Sequence, residues 1–300
     1  MAPEAADATI EWRALLDEAT ARLAAVGLPS PEVDARRLVE QASGAQGSEL
    51  VLVLDTPATQ RGVAHFDAML ARRAEGEPLQ YVLGEWGFRH LDLFVDRRVL
   101  IPRPETEIVV EYVLAELDRY DRNGGAARLV DLGTGSGAIA LAVAFERPTV
   151  EVWATDLSVD ALEVARANLA GLGRAGTRVQ LRAGSWFDAL DPDLRGQFAV
   201  VVSNPPYVAD TERLPPEVDD WEPRSALRSG PSGTEAYDLL VEQAPSWMAA
   251  GGSLVLEIAP HQADYVVGLA RVRGLVDVEV HPDLAGRDRV LVARRPGGVR

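Results

Sequence analysis

From about residue 128 onward, apolar runs of strand length alternate with helical patterns, and no other feature limits the fold so tightly. The runs fall at 128–132, 151–156, 178–182, 198–203, 252–258, 276–281 and 288–294. Helical patterns at 137–145, 158–170, 234–249 and 261–273 lie between most of them. Such alternation predicts an α/β domain, a mostly parallel sheet with helices on both faces. The last two runs are separated only by the turn-rich stretch Pro282 to Arg287. That is too short for a parallel crossover, so the sheet should end in an antiparallel pair.

The chain before this region reads differently. Ile10, Leu15, Leu16, Ala19, Leu23 and Val26 form a helical apolar stripe that stops near Gly27 and Pro29. Ser30-Pro31-Glu32 has the form of an N-cap, a proline at the first helical position and an acid in the first turn. Val33, Leu38, Val39 and Ala42 carry that helix to Gly44. A short apolar segment, Leu50 to Leu54, follows, and Val63, Phe66, Met69 and Leu70 mark another helix ending at Gly76. No strand pattern interrupts residues 1–76, which predicts a small helical bundle. Residues 77–103 form a linker in which Gly84–Phe88 and Leu91–Val95 can pair as a β-hairpin. Residues 104–300 then form the α/β domain.

Composition removes several chemistries. The 300 residues contain no cysteine, which excludes disulfides, thiolate metal sites and cysteine nucleophiles. They contain no lysine either, which excludes Schiff-base chemistry and a P-loop lysine. The formal net charge of −16 opposes binding to phosphate backbones. Residues 1–76 hold 12 Asp and Glu against 7 Arg, so this part does not look like a nucleic-acid-binding module. No apolar run approaches the ~20 residues of a membrane span. Met1 to Asp7 is acidic and lacks the pattern of a secretory signal, so a cytoplasmic location is expected. A monomer is the default expectation, and no metal site is foreseen.

Val130-Asp131-Leu132-Gly133-Thr134-Gly135-Ser136-Gly137 closes the first strand of the α/β region and opens a helix. Glycines there allow a tight turn and close approach of a ligand to the main chain. Asp156 ends the next strand, near the ~20-residue spacing at which a carboxylate receives ribose hydroxyls. A nucleoside cofactor is therefore expected. The glycines read G-x-G-x-G, and Ala138 is a permitted substitute for the last glycine of the dinucleotide fingerprint. A nicotinamide or flavin dinucleotide thus stays open on the glycines alone.

The apolar run Val200-Val201-Val202-Ser203 leads into Asn204-Pro205-Pro206-Tyr207, at the sheet edge where open α/β folds bind ligands. Asn204 offers a side-chain carbonyl, and Pro205 keeps its own carbonyl on a stiff backbone. Two rigid acceptors can take both hydrogens of one NH₂ group, while Tyr207 can lie against a flat amide or base. An amide nitrogen is a poor nucleophile, because the delocalisation of its lone pair is worth a rotation barrier of ~18–20 kcal/mol. Holding both hydrogens draws the nitrogen toward a tetrahedral shape, and positioning removes much of the remaining entropic barrier. Taken alone the tetrapeptide reads equally well as a plain turn with Tyr207 in the core, since Asn-Pro and Pro-Pro are ordinary loop signals; its place after a strand and downstream of the glycine loop favours a site.

With Gly133 to Gly137, the Asn-Pro-Pro-Tyr segment resembles the amino-methyltransferases. Gly84–Phe88, Leu100-Ile101-Pro102-Arg103-Pro104-Glu105-Thr106-Glu107, Ser185–Asp188, Glu222–Leu227 and Gly286–Val290 narrow the likeness to the HemK/PrmC family. The resemblance covers most of the chain. It implies a Rossmann-like class I methyltransferase sheet and S-adenosylmethionine as cofactor, with S-adenosylhomocysteine as product. It also implies a substrate, the glutamine of the Gly-Gly-Gln loop of peptide chain release factors, methylated on its side-chain amide nitrogen. By the same likeness Gly133, Thr134, Gly135, Ser136, Gly137, Asp156, Trp186 and Asn204 would contact the cofactor. Asn204, Pro205, Pro206 and Tyr207 would hold the glutamine, with Asn204, Pro205 and Tyr207 as the catalytic set. Residues 1–76 would dock the protein substrate.

Arg103, Glu105 and Glu107 serve equally well as site residues or as capping groups for the helix they precede. Leu256-Glu257-Ile258-Ala259-Pro260 lacks the glycine expected after its strand, a departure of little weight because it lies outside the reactive loop. Two other readings stand beside the family one. The tetrapeptide would also serve a nucleic-acid methyltransferase acting on a flipped adenine or guanine amine, against which stands the acidic stretch Asp210 to Glu222. A non-catalytic cofactor-binding translation factor is the other, and the intact Asn204 and Tyr207 speak against it.

Overall fold

Residues 9–121 and 127–297 are described by the structure, a computed structural model; the Met1–Asp7 segment lies outside them. The chain divides into two units, Met1–Gly84 and Glu85–Arg300.

The first unit is helical: α1 (Trp12–Ala25), α2 (Pro31–Ser43), α3 (Glu49–Val53), α4 (Gln60–Ala74) and α5 (Leu79–Leu83). Pro31 opens α2 behind Ser30 as expected, but the Ser30 side chain makes no capping hydrogen bond. Thr59 does cap α4, accepting from Gly62 N at 3.0 Å. Leu15, Leu23, Leu38, Phe66 and Leu70 form the core of this unit, each worth about 1.5–3 kcal/mol on full burial. An ion pair, Arg73 Nε to Asp34 Oδ2 at 2.7 Å, joins α4 to α2 within that apolar setting. Leu79 and Val82 of α5 also enter the core, so the unit runs to Gly84, past the boundary expected at 76. Five residues are too few for a helical period to show in the sequence.

The second unit starts with a hairpin of β1 (Glu85–Phe88) and β2 (Leu91–Phe94), paired antiparallel as the sequence suggests. Then come α6 (Pro104–Asp121), β3 (Arg128–Leu132), α7 (Ala138–Glu146), β4 (Glu151–Asp156), α8 (Val159–Gly171), β5 (Val179–Ala183) and β6 (Phe198–Ser203). The chain continues through α9 (Pro216–Asp219), α10 (Arg224–Leu227), α11 (Glu235–Trp247), β7 (Met248–Glu257), α12 (Ala263–Val272), β8 (Val276–Pro282) and β9 (Asp288–Arg294).

Seven strands form one sheet in the order β5-β4-β3-β6-β7-β9-β8. β5 through β7 pair in parallel, and β9 runs antiparallel between β7 and β8. All six residues of β6 are buried, which is why its sequence is apolar without alternation. From β3 the chain winds outward through β4 and β5, then returns to β6 on the other side of β3. That reversal opens a crevice at the carboxyl ends of β3 and β6, the place where doubly wound sheets hold ligands.

Candidate active site

Four strand ends feed a cavity of about 320 Å³ in the second unit, within the size range of small-molecule sites, ~300–1,000 Å³. β3 contributes Gly133 and Gly135, β4 contributes Asp156, β5 leads to Trp186, and β6 delivers Asn204 and Pro206. The sequence-predicted residues that the cavity brings together are these six. Thr134, Ser136, Gly137 and Pro205 are buried and do not line the cavity, and Tyr207 packs against the core cluster after β6.

Backbone hydrogen bonds hold the glycine loop. Gly133 N and Thr134 N both donate to Thr155 O at 2.9 Å. Asn168 Nδ2 donates to Ser136 O at 2.9 Å and to Phe94 O at 3.0 Å, fastening the loop to the hairpin. Gly133 has φ of 74°, and a Cβ there would lie 3.1 Å from the Trp186 ring, so the indole closes against bare backbone. A Cβ on Gly137 would lie 2.9 Å from Leu141 Cδ1 of α7 and 3.6 Å from Ala165 Cβ of α8, so this glycine leaves room where the two helices meet at the start of α7. Trp186 itself holds φ of 46°, the left-handed region that costs a bulky residue strain.

Two carboxyls stand at the loop. Asp156 Oδ2 accepts from Gly135 N and Oδ1 from Ser158 N, each at 2.8 Å. A carboxylate has about four acceptor sites, so capacity remains for hydroxyl groups in the cavity. Burial pushes the Asp156 carboxyl up, and the backbone N–H groups of Ser158 and Gly135 oppose this. Asp131 lies beneath the loop and accepts from Thr134 Oγ1 at 2.6 Å and Ala140 N at 3.2 Å. Burial pushes its carboxyl up to about 7.

Beyond the glycine loop, the cavity wall joins two distant segments. Arg98, Val99 and Leu100 line it together with Pro223, Ser225 and Ala226. Glu222 clamps the segments together, accepting from Ile101 N at 3.1 Å and from the Arg103 guanidinium. Burial pushes the Glu222 carboxyl up, while Arg103 pulls it down. Of the three charged residues before and within the start of α6, Arg103 is thus a structural clamp. Glu105 pairs with Arg287 at 3.1 Å, and Glu107 accepts from Arg89 N at 3.1 Å.

Thr106 and Glu257, to which the sequence assigns no role of their own, form a hydrogen-bonded chain behind Asn204. Asn204 Nδ2 donates to Thr106 Oγ1 at 3.2 Å, and Thr106 Oγ1 donates to Glu257 Oε2 at 2.7 Å. The segment around Glu257 is therefore not remote from the reactive loop. The sheet brings the end of β7 beside the end of β6, where Ser203 pairs with Leu256.

Residues 14–84 match the PrmC N-terminal domain and residues 111–216 the methyltransferase small domain. A methyltransferase from Pyrococcus furiosus shares the fold, with a TM-score of 0.51 and 18% identity over 75% of this chain and 97% of that one. Sheet order, glycine loop and cavity define a Rossmann-like methyltransferase of class I. Over 94% of this chain, the release factor glutamine methyltransferase of Cereibacter sphaeroides is 43% identical and covered to 97%. That of Moorella thermoacetica is 42% identical, with 94% and 98% covered. The chain belongs to the release factor glutamine methyltransferase family. Among the described residues, no helix is long and apolar enough to cross a membrane.

Proposed function

We propose that this protein methylates the side-chain amide nitrogen of the Gly-Gly-Gln glutamine in peptide chain release factors, using S-adenosylmethionine. The observation that carries this reading is the cavity shared by Asn204 and Pro206 with Gly133, Gly135, Asp156 and Trp186, in a chain whose relatives bear that name.

The residues present suit the cofactor. Bare backbone at Gly133 faces an indole, and Asp156 retains acceptor capacity toward the cavity, as a nucleoside with a ribose diol requires. When bound, S-adenosylmethionine supplies an electrophilic sulfonium methyl and leaves as S-adenosylhomocysteine. Gly133 to Gly137, Asp156, Trp186 and Asn204 form its binding set in this reading.

The remaining work belongs to the tetrapeptide. Asn204 Oδ1 and the Pro205 carbonyl accept the two hydrogens of the glutamine NH₂, which localises the nitrogen lone pair and orients it. One of those two hydrogens is the proton that the strongly acidic methylated nitrogen gives up to water, since neither amide oxygen is basic enough to keep it. Pro206 and Tyr207 confine the amide plane, and burial pushes the Tyr207 hydroxyl up to about 12, so it stays protonated. The amino-terminal unit docks the protein substrate.

A transfer assay with labelled S-adenosylmethionine tests the reading. Label is expected on a purified release factor and not on the same factor with its Gly-Gly-Gln glutamine changed to alanine. Label on nucleic acid instead would move the reading to an exocyclic-amine methyltransferase on the same fold.

A further inference from the structure

Asn204 can accept a hydrogen from a substrate NH₂ only when its oxygen, and not its nitrogen, is the end offered to the cavity. An amide carries a donor end and an acceptor end of nearly equal size, so its neighbours decide which way it turns. The neighbour here is Thr106, in the first turn of α6, and behind it stands Glu257 at the end of β7. Both are buried, at 4% and 1% exposure, and water cannot take over their hydrogen bonds.

A hydroxyl has one hydrogen to give. While Glu257 is ionised it has none, so the Thr106 hydrogen goes to Glu257 Oε2, at 2.7 Å. Thr106 Oγ1 can then only accept, and the Asn204 amide turns its Nδ2 toward it, at 3.2 Å. Oδ1 is left as the end for the cavity that Asn204 lines. Once Glu257 is protonated the chain can run backwards: Glu257 donates to Thr106, Thr106 donates to Asn204 Oδ1, and the amide turns over. The NH₂ of Asn204 would then meet the NH₂ of the substrate, donor against donor.

We propose that Thr106 and Glu257 are positioning residues that hold Asn204 with its oxygen toward the acceptor nitrogen, and that a proton on Glu257 reverses this relay and silences the site. The proposal rests on the glutamine-methylating reading above. The groups facing Glu257 are Arg103 and Glu105 from the α6 side, Arg289 from β9 and Tyr207 after β6. Tyr237 of α11 lies there too, with its hydroxyl 3.4 Å from the Glu257 carbonyl. Burial pushes the Glu257 carboxyl up to about 7, against the Thr106 hydrogen bond and the field of Arg289. The reversal therefore falls within an accessible pH range. Asp131 rises to a similar value, so variants, and not the wild-type profile alone, must assign the effect.

The test compares wild type with Thr106→Val, Thr106→Ser and Glu257→Gln in the full-length protein. It measures kcat and KM for a release factor across pH, and S-adenosylhomocysteine affinity by calorimetry as a control for an intact site. Thr106→Val is expected to lower kcat about tenfold or more near pH 8, with product affinity held within about threefold. Thr106→Ser, which keeps the hydroxyl, should restore most of the loss. The wild-type fall of kcat/KM on acidification through about pH 7 should be absent in Glu257→Gln. Equal turnover in wild type and Thr106→Val, failure of Thr106→Ser to rescue, or an unchanged acid limb in Glu257→Gln overturns the relay. A wild-type enzyme that labels no release factor overturns the functional reading itself, and the relay with it.

Discussion

Ser203 Oγ donates a hydrogen bond to the Leu132 carbonyl at 2.6 Å, tying the end of β6 to the end of β3 directly before Asn204 and Gly133. Both groups are buried. Ser203→Ala leaves the Leu132 carbonyl without that partner, an omission worth about 1–3 kcal/mol. Urea unfolding should show a lower midpoint with an unchanged slope. An unchanged midpoint would mean that the carbonyl finds another donor and that the tie contributes nothing.

Asn204→Ala separates catalysis from cofactor binding. Removing one preorganised polar group at a reacting centre costs about 100- to 1,000-fold in turnover. Affinity for S-adenosylhomocysteine should change far less, because the glycine loop, Asp156 and Trp186 remain in the cavity. Single-turnover rates and calorimetry on one preparation supply both numbers. Equal losses in the two would remove Asn204 from its proposed role at the amide.

The reach of sequence reading differs between these residues for a physical reason. Asn204 is legible because a fully apolar strand runs directly into a rigid polar turn, and the glycine loop because strand, turn and helix follow in register. Thr106 is 98 positions from Asn204 and Glu257 is 151 from Thr106, so only the folded sheet brings them together. Glu222 is equally hidden, since it clamps Ile101 and Arg103, which lie 121 and 119 positions away in the sequence. In the sheet, the short connection between β8 and β9 announces an antiparallel pair. That β9 inserts between β7 and β8 does not follow from loop length, because a hairpin can dock by either strand. Helix α5 escapes because a single turn and a half carries no periodic signal.

Position 133 should tolerate no side chain. Gly133→Ala sets a Cβ 3.1 Å from the Trp186 ring on a backbone at φ of 74°, a conformation that costs a non-glycine residue about 1–2 kcal/mol. Both terms act in the cavity, so S-adenosylhomocysteine affinity should fall about tenfold or more. Calorimetry measures it, and wild-type affinity in the variant would show that the cofactor does not approach this backbone.

Asp131 makes stability depend on pH with a definite sign. Burial raises its carboxyl from 3.8 to about 7, so between those values the folded chain keeps a proton that the unfolded chain has lost. The stabilisation that comes with that proton declines as pH rises through this window, and the cost of the buried charge is constant above it. Asp131→Asn keeps an oxygen that can accept from Thr134 and Ala140 and carries no charge. The stability of the variant relative to wild type should therefore grow from about pH 4 to about pH 7 and then level off. Urea unfolding at several pH values follows the difference, in which the similar contribution of Glu257 cancels. A difference independent of pH would show that Asp131 does not titrate in this range.

The docking role proposed for the amino-terminal unit predicts that its removal affects the protein substrate and not the chemistry. Its core of Leu15, Leu38, Phe66 and Leu70 is complete within residues 1–84, while every residue lining the cavity belongs to the second unit. Removing residues 1–84 should thus leave S-adenosylhomocysteine affinity within about threefold of wild type, since the cavity walls are retained. KM for a whole release factor should rise about tenfold or more, the loss of a binding contact that is made equally in ground and transition states. A short Gly-Gly-Gln peptide, too small to reach a second docking surface, should show no such rise. If the truncated chain treats whole factor and peptide as wild type does, docking resides entirely in the second unit, and the acidic stretch Asp210 to Glu222 becomes the segment to alter next.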